Sequence, residues 1–444
     1  IGYLKLADNM GIKKNITAGA DTDVTVGMAA RLILNAGKAE VFTPVISGDK
    51  VELKKGDTLF WEKQRISNGK GILSANQYTA IDGRTKAEKN SLRIGDFEGN
   101  IYYNSDESEY LGYNVEYYYR EEDGENTIYY LAPAEEKNEI RVISEIDSFD
   151  EDTNTLYYQY NGRDKHTKIL PETAVIYNGT LTVRYYIDDK SIFDIENGEI
   201  KLIDNDNDGT VEVVSVTAFE DYFVSGINKS EGLVYDMYGR EPLDFKGAEQ
   251  NGDTWILTDA DGKLLSYENC KEKSVISVAM SMDKSLMRGI VSEKKLSGTL
   301  LGKRIEDGVL YIKVDTAEYE AVISKKIRDD IAAKIKELEA AGETNPTVNA
   351  TDVLPAIGTS VTAYFGYMGK ISVITAGRSL SGYGFIIKKY YDDAEEKYSL
   401  RMMTNDGEKD VYDLGKTVKI DGESYKYSGG GLNAYMQSFE DYQM

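Results

Sequence analysis

The sequence predicts a mainly β chain. A short helical segment opens it, and several small β-barrel or sandwich modules follow in series, with one inserted helix. Three observations predict this. Apolar residues keep a helical spacing only to about residue 40 and then alternate with period two. Asp-Gly pairs that favour tight turns punctuate the alternating runs, at Asp82-Gly83, Asp123-Gly124, Asp261-Gly262, Asp406-Gly407 and Asp421-Gly422. The 34 tyrosines against 6 prolines fit strands with amphipathic faces.

In chain order, Leu4, Leu6, Ala7, Met10 and Ile12 make a short amphipathic helix that Gly11 limits. Thr25 is placed to cap a second helix over Val26–Ala36, where Met28, Ala29, Leu32, Ile33 and Ala36 share one face. Gly37 is expected to end it. Strand-like runs follow at Val51–Leu53, Ile101–Tyr103, Val115–Tyr119 and Thr127–Leu131. A helix is expected over Lys326–Ala341, with Ile327, Ile331, Ile335 and Leu338 as its apolar stripe, Gly342 as its stop and Pro346 just beyond. It interrupts a β region, so it reads as an insertion covering one barrel end.

A faint internal repeat organises the β region. Leu111-Gly112 to Tyr118 lines up with Ile357-Gly358 to Tyr364, and each block follows a Gly-initiated strand, at Gly71 and Gly298. Glycine tolerates the bend where a strand turns a barrel corner. A third block opens at Gly384 and carries Ile420 to Tyr425. The expected modules are a helical segment at 1–41, a first β-module at 42–133, a middle β-domain at 134–295, a second β-module at 296–377 and a C-terminal β-module at 378–444.

The stretch Asp23 to Ala36 resembles the second half of an S-layer homology repeat. The strings Leu111–Arg120, Lys201–Val214 and Gly358–Ile371 resemble the β-rich regions that follow such repeats in clostridial surface proteins. The resemblance implies a secreted protein of the cell wall or cell surface with a structural or adhesive role. Repeats of this family hold wall polymer through an Ile-Thr-Arg-Ala-Glu type motif. Here the stretch is Val24-Thr25-Val26-Gly27-Met28, with Val26 and Met28 where the charges belong. Polymer-binding residues are therefore not carried over, and wall polysaccharide is expected only through repeats upstream.

Composition narrows the partners. A net charge of -24 and a pI near 4.6 repel nucleic acid and anionic membranes and favour cations. With one cysteine, Cys270, no intrachain disulfide forms, and with one histidine, His166, no histidine-rich metal site does. No apolar run reaches membrane-spanning length, and the opening at Ile1 reads as that of a mature or trimmed chain.

The sharpest motif is Asp204-Asn-Asp206-Asn-Asp208-Gly209-Thr210-Val-Glu212. Oxygen ligands at alternate positions let a short loop wrap a hard cation. Gly209 permits the turn, Thr210 offers its carbonyl, and Glu212 adds a ninth-position carboxylate. An EF-hand needs Glu at position twelve, and that residue is Ser215. Leu202-Ile203 before the motif and Val211, Val213 and Val214 after it read as a β-hairpin. Structural calcium is the expected ion. The competing reading is an acidic, solvated turn.

Catalytic patterns are weak. His166 lies in the charged run Arg163–Lys168, expected as a solvated loop. Cys270 has lysine neighbours that lower a thiol pKa, but no histidine beside it. Gly429-Gly430-Gly431 lacks the lysine and helix of a phosphate cradle. Trp255 alternates with Leu257 as a core residue does, whereas Trp61 is open to a core role or to stacking on a sugar. Residues Ala434–Met444 read as an interaction tail or a frayed end. The expected function is a non-enzymatic assembly protein of the bacterial surface, contacting its own copies or other envelope proteins. A phage virion protein or adhesin and a wall-associated hydrolase are the alternatives.

Overall fold

The computed structural model describes residues 2–17, 19, 21–47, 50–102, 107–135, 137–143, 146–182, 192–193, 195–376, 384–392, 397–404, 409–414, 417–420 and 423–426. They are mainly β, in several separate sheets with few helices. Two compact units divide the chain: residues 1–293 with 366–369, and residues 294–365 with 370–444. Tyr103, Asp406-Gly407, Asp421-Gly422, Gly429–Gly431 and Ala434–Met444 lie outside the described residues.

The first unit opens with helices α1 (Gly2–Asn9) and α2 (Val26–Lys38). Gly11 takes a left-handed φ of 74° just past α1, where a side chain would be strained. The Thr25 hydroxyl accepts the Met28 N–H at 3.2 Å and caps α2. Gly37 does not end the helix, which continues through Lys38. Gly37 is buried, and a Cβ there would overlap the ring of Phe60. The glycine serves close packing rather than termination.

Strands β1 (Glu40–Ser47) and β2 (Lys50–Thr58) form a separate hairpin, and α3 (Leu59–Gln64) follows. A closed barrel comes next, from β3 (Ser67–Ala75), β4 (Ser91–Ile94), β5 (Phe97–Ile101), β6 (Asn114–Glu122) and β7 (Glu125–Pro133). Lys38, the last residue of α2, docks on this barrel. Its ammonium reaches Glu116 at 2.8 Å and lies over the rings of Tyr118 and Tyr130.

The middle region holds β8 (Glu139–Ile143), β9 (Ile146–Asp150), β10 (Thr155–Tyr160), β11 (Arg163–Lys168), β12 (Ala174–Tyr177), β13 (Thr180–Leu181), β14 (Gly198–Asp204) and β15 (Val213–Ala218). One sheet runs β11-β10-β9 and a second β13-β12-β15-β14-β8. A six-stranded sheet closes the unit. It is built from β16 (Glu220–Asn228), β17 (Leu233–Asp236), β18 (Leu243–Asp244), β19 (Thr254–Asp259), β20 (Val275–Met280) and β21 (Leu286–Ser292), with α4 (Phe245–Asn251) before β19.

The second unit contains a closed barrel of β22 (Lys295–Glu306), β23 (Val309–Val314), β24 (Ala317–Ala321), β25 (Ser360–Phe365) and β26 (Ile371–Ala376). Helices α5 (Lys325–Ala340) and α6 (Ala350–Val353) are inserted between β24 and β25. Ile327 of α5 is buried in the barrel core and Ile331 packs against it, so the helix covers its own module. Beyond the barrel lie a sheet of β27 (Gly384–Asp392), β28 (Lys397–Thr404) and β29 (Lys409–Asp413), and a hairpin of β30 (Thr417–Ile420) and β31 (Glu423–Lys426).

The two barrels share one topology. In each, the strands order as first, second, third, fifth, fourth. The first closes antiparallel on the fourth, and the third meets the fifth in parallel. This is the arrangement of a five-stranded OB-type Greek-key barrel. The match extends to single residues. Gly71 pairs with Val115 in the first barrel and Gly298 with Val361 in the second. Two residues after each glycine, at Leu73 and Leu300, the strand transfers to its other neighbour through a register shift. A glycine followed by a bulge is what a strand needs to turn a barrel corner. The repeat read between these blocks is therefore structural.

Candidate metal centre

The acidic motif occupies the turn between β14 and β15. These strands pair antiparallel, with Ile203 opposite Val213 and Leu202 opposite Val214. Their apolar runs are nearly continuous because both faces are covered. Ile200, Leu202, Val214 and Val216 enter one core, while Ile203 and Val213 enter another shared with the first barrel. The hairpin read from the flanking valines is present.

Asp204 ends β14 and is fully buried. A buried carboxylate must be hydrogen-bonded or neutralised. Here the loop supplies backbone donors. Asn207 N–H and Asp208 N–H reach Oδ1 at 2.6 and 3.2 Å, and Gly209 N–H reaches Oδ2 at 2.8 Å. The chain curls to do this through left-handed φ values of 65° at Asn207 and 95° at Gly209. Asp208 in turn accepts the Thr210 N–H at 2.8 Å, and Glu212 accepts the Asn205 N–H at 2.8 Å.

The loop gathers Asp204, Asp206, Asp208 and Glu212 so that one carboxylate oxygen from each lies within 4.8 Å of the others. Asp206 and Asp208 are exposed, and Glu212 is half-buried. Thr210 enters as a backbone N–H donor, bonded to Asp208. Repulsion shows in the electrostatics. Burial, together with the charges of Asp204 and Asp206, raises the Glu212 pKa against the opposing Asn205 N–H bond. Asp208 is lowered, because the Thr210 N–H and hydroxyl favour its ionised form.

This donor set can hold a metal ion. Carboxylate oxygens gathered within this distance of one another can face a single cation. Three of the roughly four acceptor positions on Asp204 are taken by the loop, which leaves one free to face a cation.

One residue of the site was not legible. Asn205 is buried, and its side-chain amide donates to the Gly112 carbonyl at 2.9 Å, which fixes the hairpin to the segment entering β6. An Asn between two Asp reads as an ordinary turn residue, and nothing in the motif signals so distant a partner.

The other candidate residues resolve differently. His166 lies on strand β11 rather than in a loop, exposed, with its ring 5.9 Å from that of Tyr157. Cys270 is buried, and burial pushes its thiol up to about 11, opposite to the effect expected of lysine neighbours. Trp255 packs 4.4 Å from Phe245 beside a buried core. Trp61 sits on α3 with the Arg65 guanidinium 5.3 Å from its ring.

No protein-family model matches the chain, and the curated proteins contain no match to it. Among the described residues, no helix is long and apolar enough to cross a membrane.

Proposed function

We propose that this chain is a non-enzymatic structural protein of the bacterial cell surface, of the S-layer or surface-appendage type, in which calcium holds the 204–212 hairpin. The observation that carries the reading is the hairpin itself. Four carboxylates gather at the end of a buried strand pair, in a chain of net charge -24. Outside a cell, calcium is plentiful enough to fill sites of only about 10⁻⁴–10⁻³ M affinity. A structural ion can then be supplied by the surroundings. The repeated barrel adds support, since duplicated small modules build length without new chemistry.

Immunogold electron microscopy of the producing cells tests the reading. Continuous label on the outer surface is expected. Label confined to phage particles or to the cell interior overturns it. So does a clear lytic band when the purified chain is run on a wall-containing gel, which would assign it to hydrolysis.

A further inference from the structure

Among the described residues, 13 of the 30 large apolar side chains that stand exposed lie before residue 62. Five of them, Phe42, Val45, Ile46, Val51 and Leu53, lie on the β1–β2 hairpin. The register places Phe42 opposite Lys55, Pro44 opposite Leu53 and Ile46 opposite Val51. Alternate residues of a strand share a face, so these six side chains form one side of the hairpin. Phe42, Ile46, Val51 and Leu53 are 47, 77, 66 and 67% exposed. Thr43 and Lys54 pair on the other side, as do Val45 and Glu52. The hairpin is therefore amphipathic, yet its apolar side is bare. A two-stranded hairpin is marginal alone in water and becomes stable when such a face is covered.

We infer that the bare face is covered by the same face of a second copy, so that two hairpins stack into a four-stranded sandwich. Three observations select that occupant. The face is chemically self-complementary. Its charges are Lys55 and, at its edge, Glu40, which pair with each other at 2.6 Å, so stacking brings no unpaired like charges together. Its area is sufficient. The bare side chains offer on the order of 500 Å² per copy, and two copies remove on the order of 1,000 Å² from water, where specific interfaces begin. Its location avoids the repulsion that opposes self-association elsewhere. Residues 1–65 carry ten Lys and Arg against eight Asp and Glu, so the acidic excess of the -24 chain lies entirely beyond them. The inference deepens the assembly reading by naming the surface through which copies join.

Sedimentation velocity on the full chain, over a wide concentration range, tests it. The expected result is a reversible dimer. An Ile46→Asp, Leu53→Asp double variant should weaken it by roughly a hundredfold or more, because each charge would be buried without a partner. Both residues are exposed in the single chain, so the circular dichroism of the variant should match that of the parent at concentrations where the parent is monomeric. In a separate Val51→Cys variant, mild oxidation should give a covalent dimer on a non-reducing gel, which decides the matter if the double variant misfolds. A parent that stays monomeric overturns the inference. So does a dimer that survives the double substitution, or a Val51→Cys chain that forms no covalent dimer. A parent that stays monomeric until an upstream segment is supplied also overturns it, and assigns the face to that segment. Surface label with a monomeric chain sinks this inference alone, whereas a hairpin dimer found in virions sinks the surface reading alone.

Discussion

Asn205 donates its side-chain amide to the Gly112 carbonyl across 2.9 Å, which ties the acidic hairpin to the chain entering the fourth strand of the first barrel. Gly112 holds a left-handed φ of 89°, and a Cβ there would stand 2.7 Å from Cγ2 of Val213, the first residue of β15. At Gly112 one polar bond and one tight apolar contact thus add to the core that the hairpin shares with the barrel. Asn205→Ala should destabilise the first unit by about 1–2 kcal/mol, since it strands a carbonyl in a buried setting. Urea denaturation of parent and variant measures this. A loss within error would mean that the bond contributes nothing net.

Calcium should raise the melting temperature of the parent, and Asp206→Ala should remove that gain. The two aspartates at the start of the motif should nevertheless behave differently without the ion. Asp204 is fully buried and holds three loop N–H groups. Asp204→Ala should cost about 3 kcal/mol even in chelator. Asp206 is exposed and accepts one N–H at 3.2 Å, so Asp206→Ala in chelator should be nearly neutral. Calorimetry of the three proteins with and without calcium separates the roles. An unchanged parent melting temperature in calcium sinks the metal assignment.

Asp82 supplies a pH handle outside that cluster of carboxylates. Burial alone would raise its carboxyl, but hydrogen bonds from the Arg93 side chain and from the Arg84 backbone and side chain outweigh it and hold the pKa at about 2. Arg93 is itself buried and reaches Asp82 at 3.0 Å. A folded pKa below the unfolded one stabilises the fold above the ordinary carboxylate range, and that stability is lost as pH falls through about 2. With solvent screening, the contribution is on the order of 1–2 kcal/mol. Asp82→Asn should flatten the decline between pH 4 and pH 2, and should also lower neutral stability by leaving Arg93 uncompensated. Chemical denaturation across that range reads both effects.

Legibility followed the range of the interactions. The switch to period two, the Thr25 cap and the valines flanking the acidic motif are local signals, and each marks the element expected there. The repeat was visible because the duplicated barrels kept a glycine and a valine at matched places. Barrel closure was not visible, since it joins β3 to β6 and β22 to β25 across long separations. Strand β11 was hidden for another reason. Among Arg163–Lys168 only Thr167 is buried, so the strand carries almost no alternation. Gly37 misled because glycine ends helices more often than it makes room for a ring such as that of Phe60.

The matched corner glycines should differ in their tolerance of a side chain. At Gly71 a Cβ would meet Cγ2 of Ile94 at 3.0 Å, the end of a side chain that can shift by a few tenths of an ångström. At Gly298 it would overlap the Asp315 carboxylate and stand 2.8 Å from Cγ1 of Val314. Asp315 is not free to move, because its Oδ1 accepts the Thr299 N–H at 2.8 Å and its own N–H donates to the Thr299 carbonyl at 2.9 Å. Gly298→Ala must therefore break the side-chain bond or bend β22, at about 2–3 kcal/mol, whereas Gly71→Ala should cost about 1 kcal/mol. The glycines lie in different compact units, so denaturation followed by hydrogen exchange can assign each loss to its own barrel. If the two substitutions cost the same, the Asp315–Thr299 bond does not constrain the second barrel. In that case corner geometry alone, common to both copies, would set the price of a side chain.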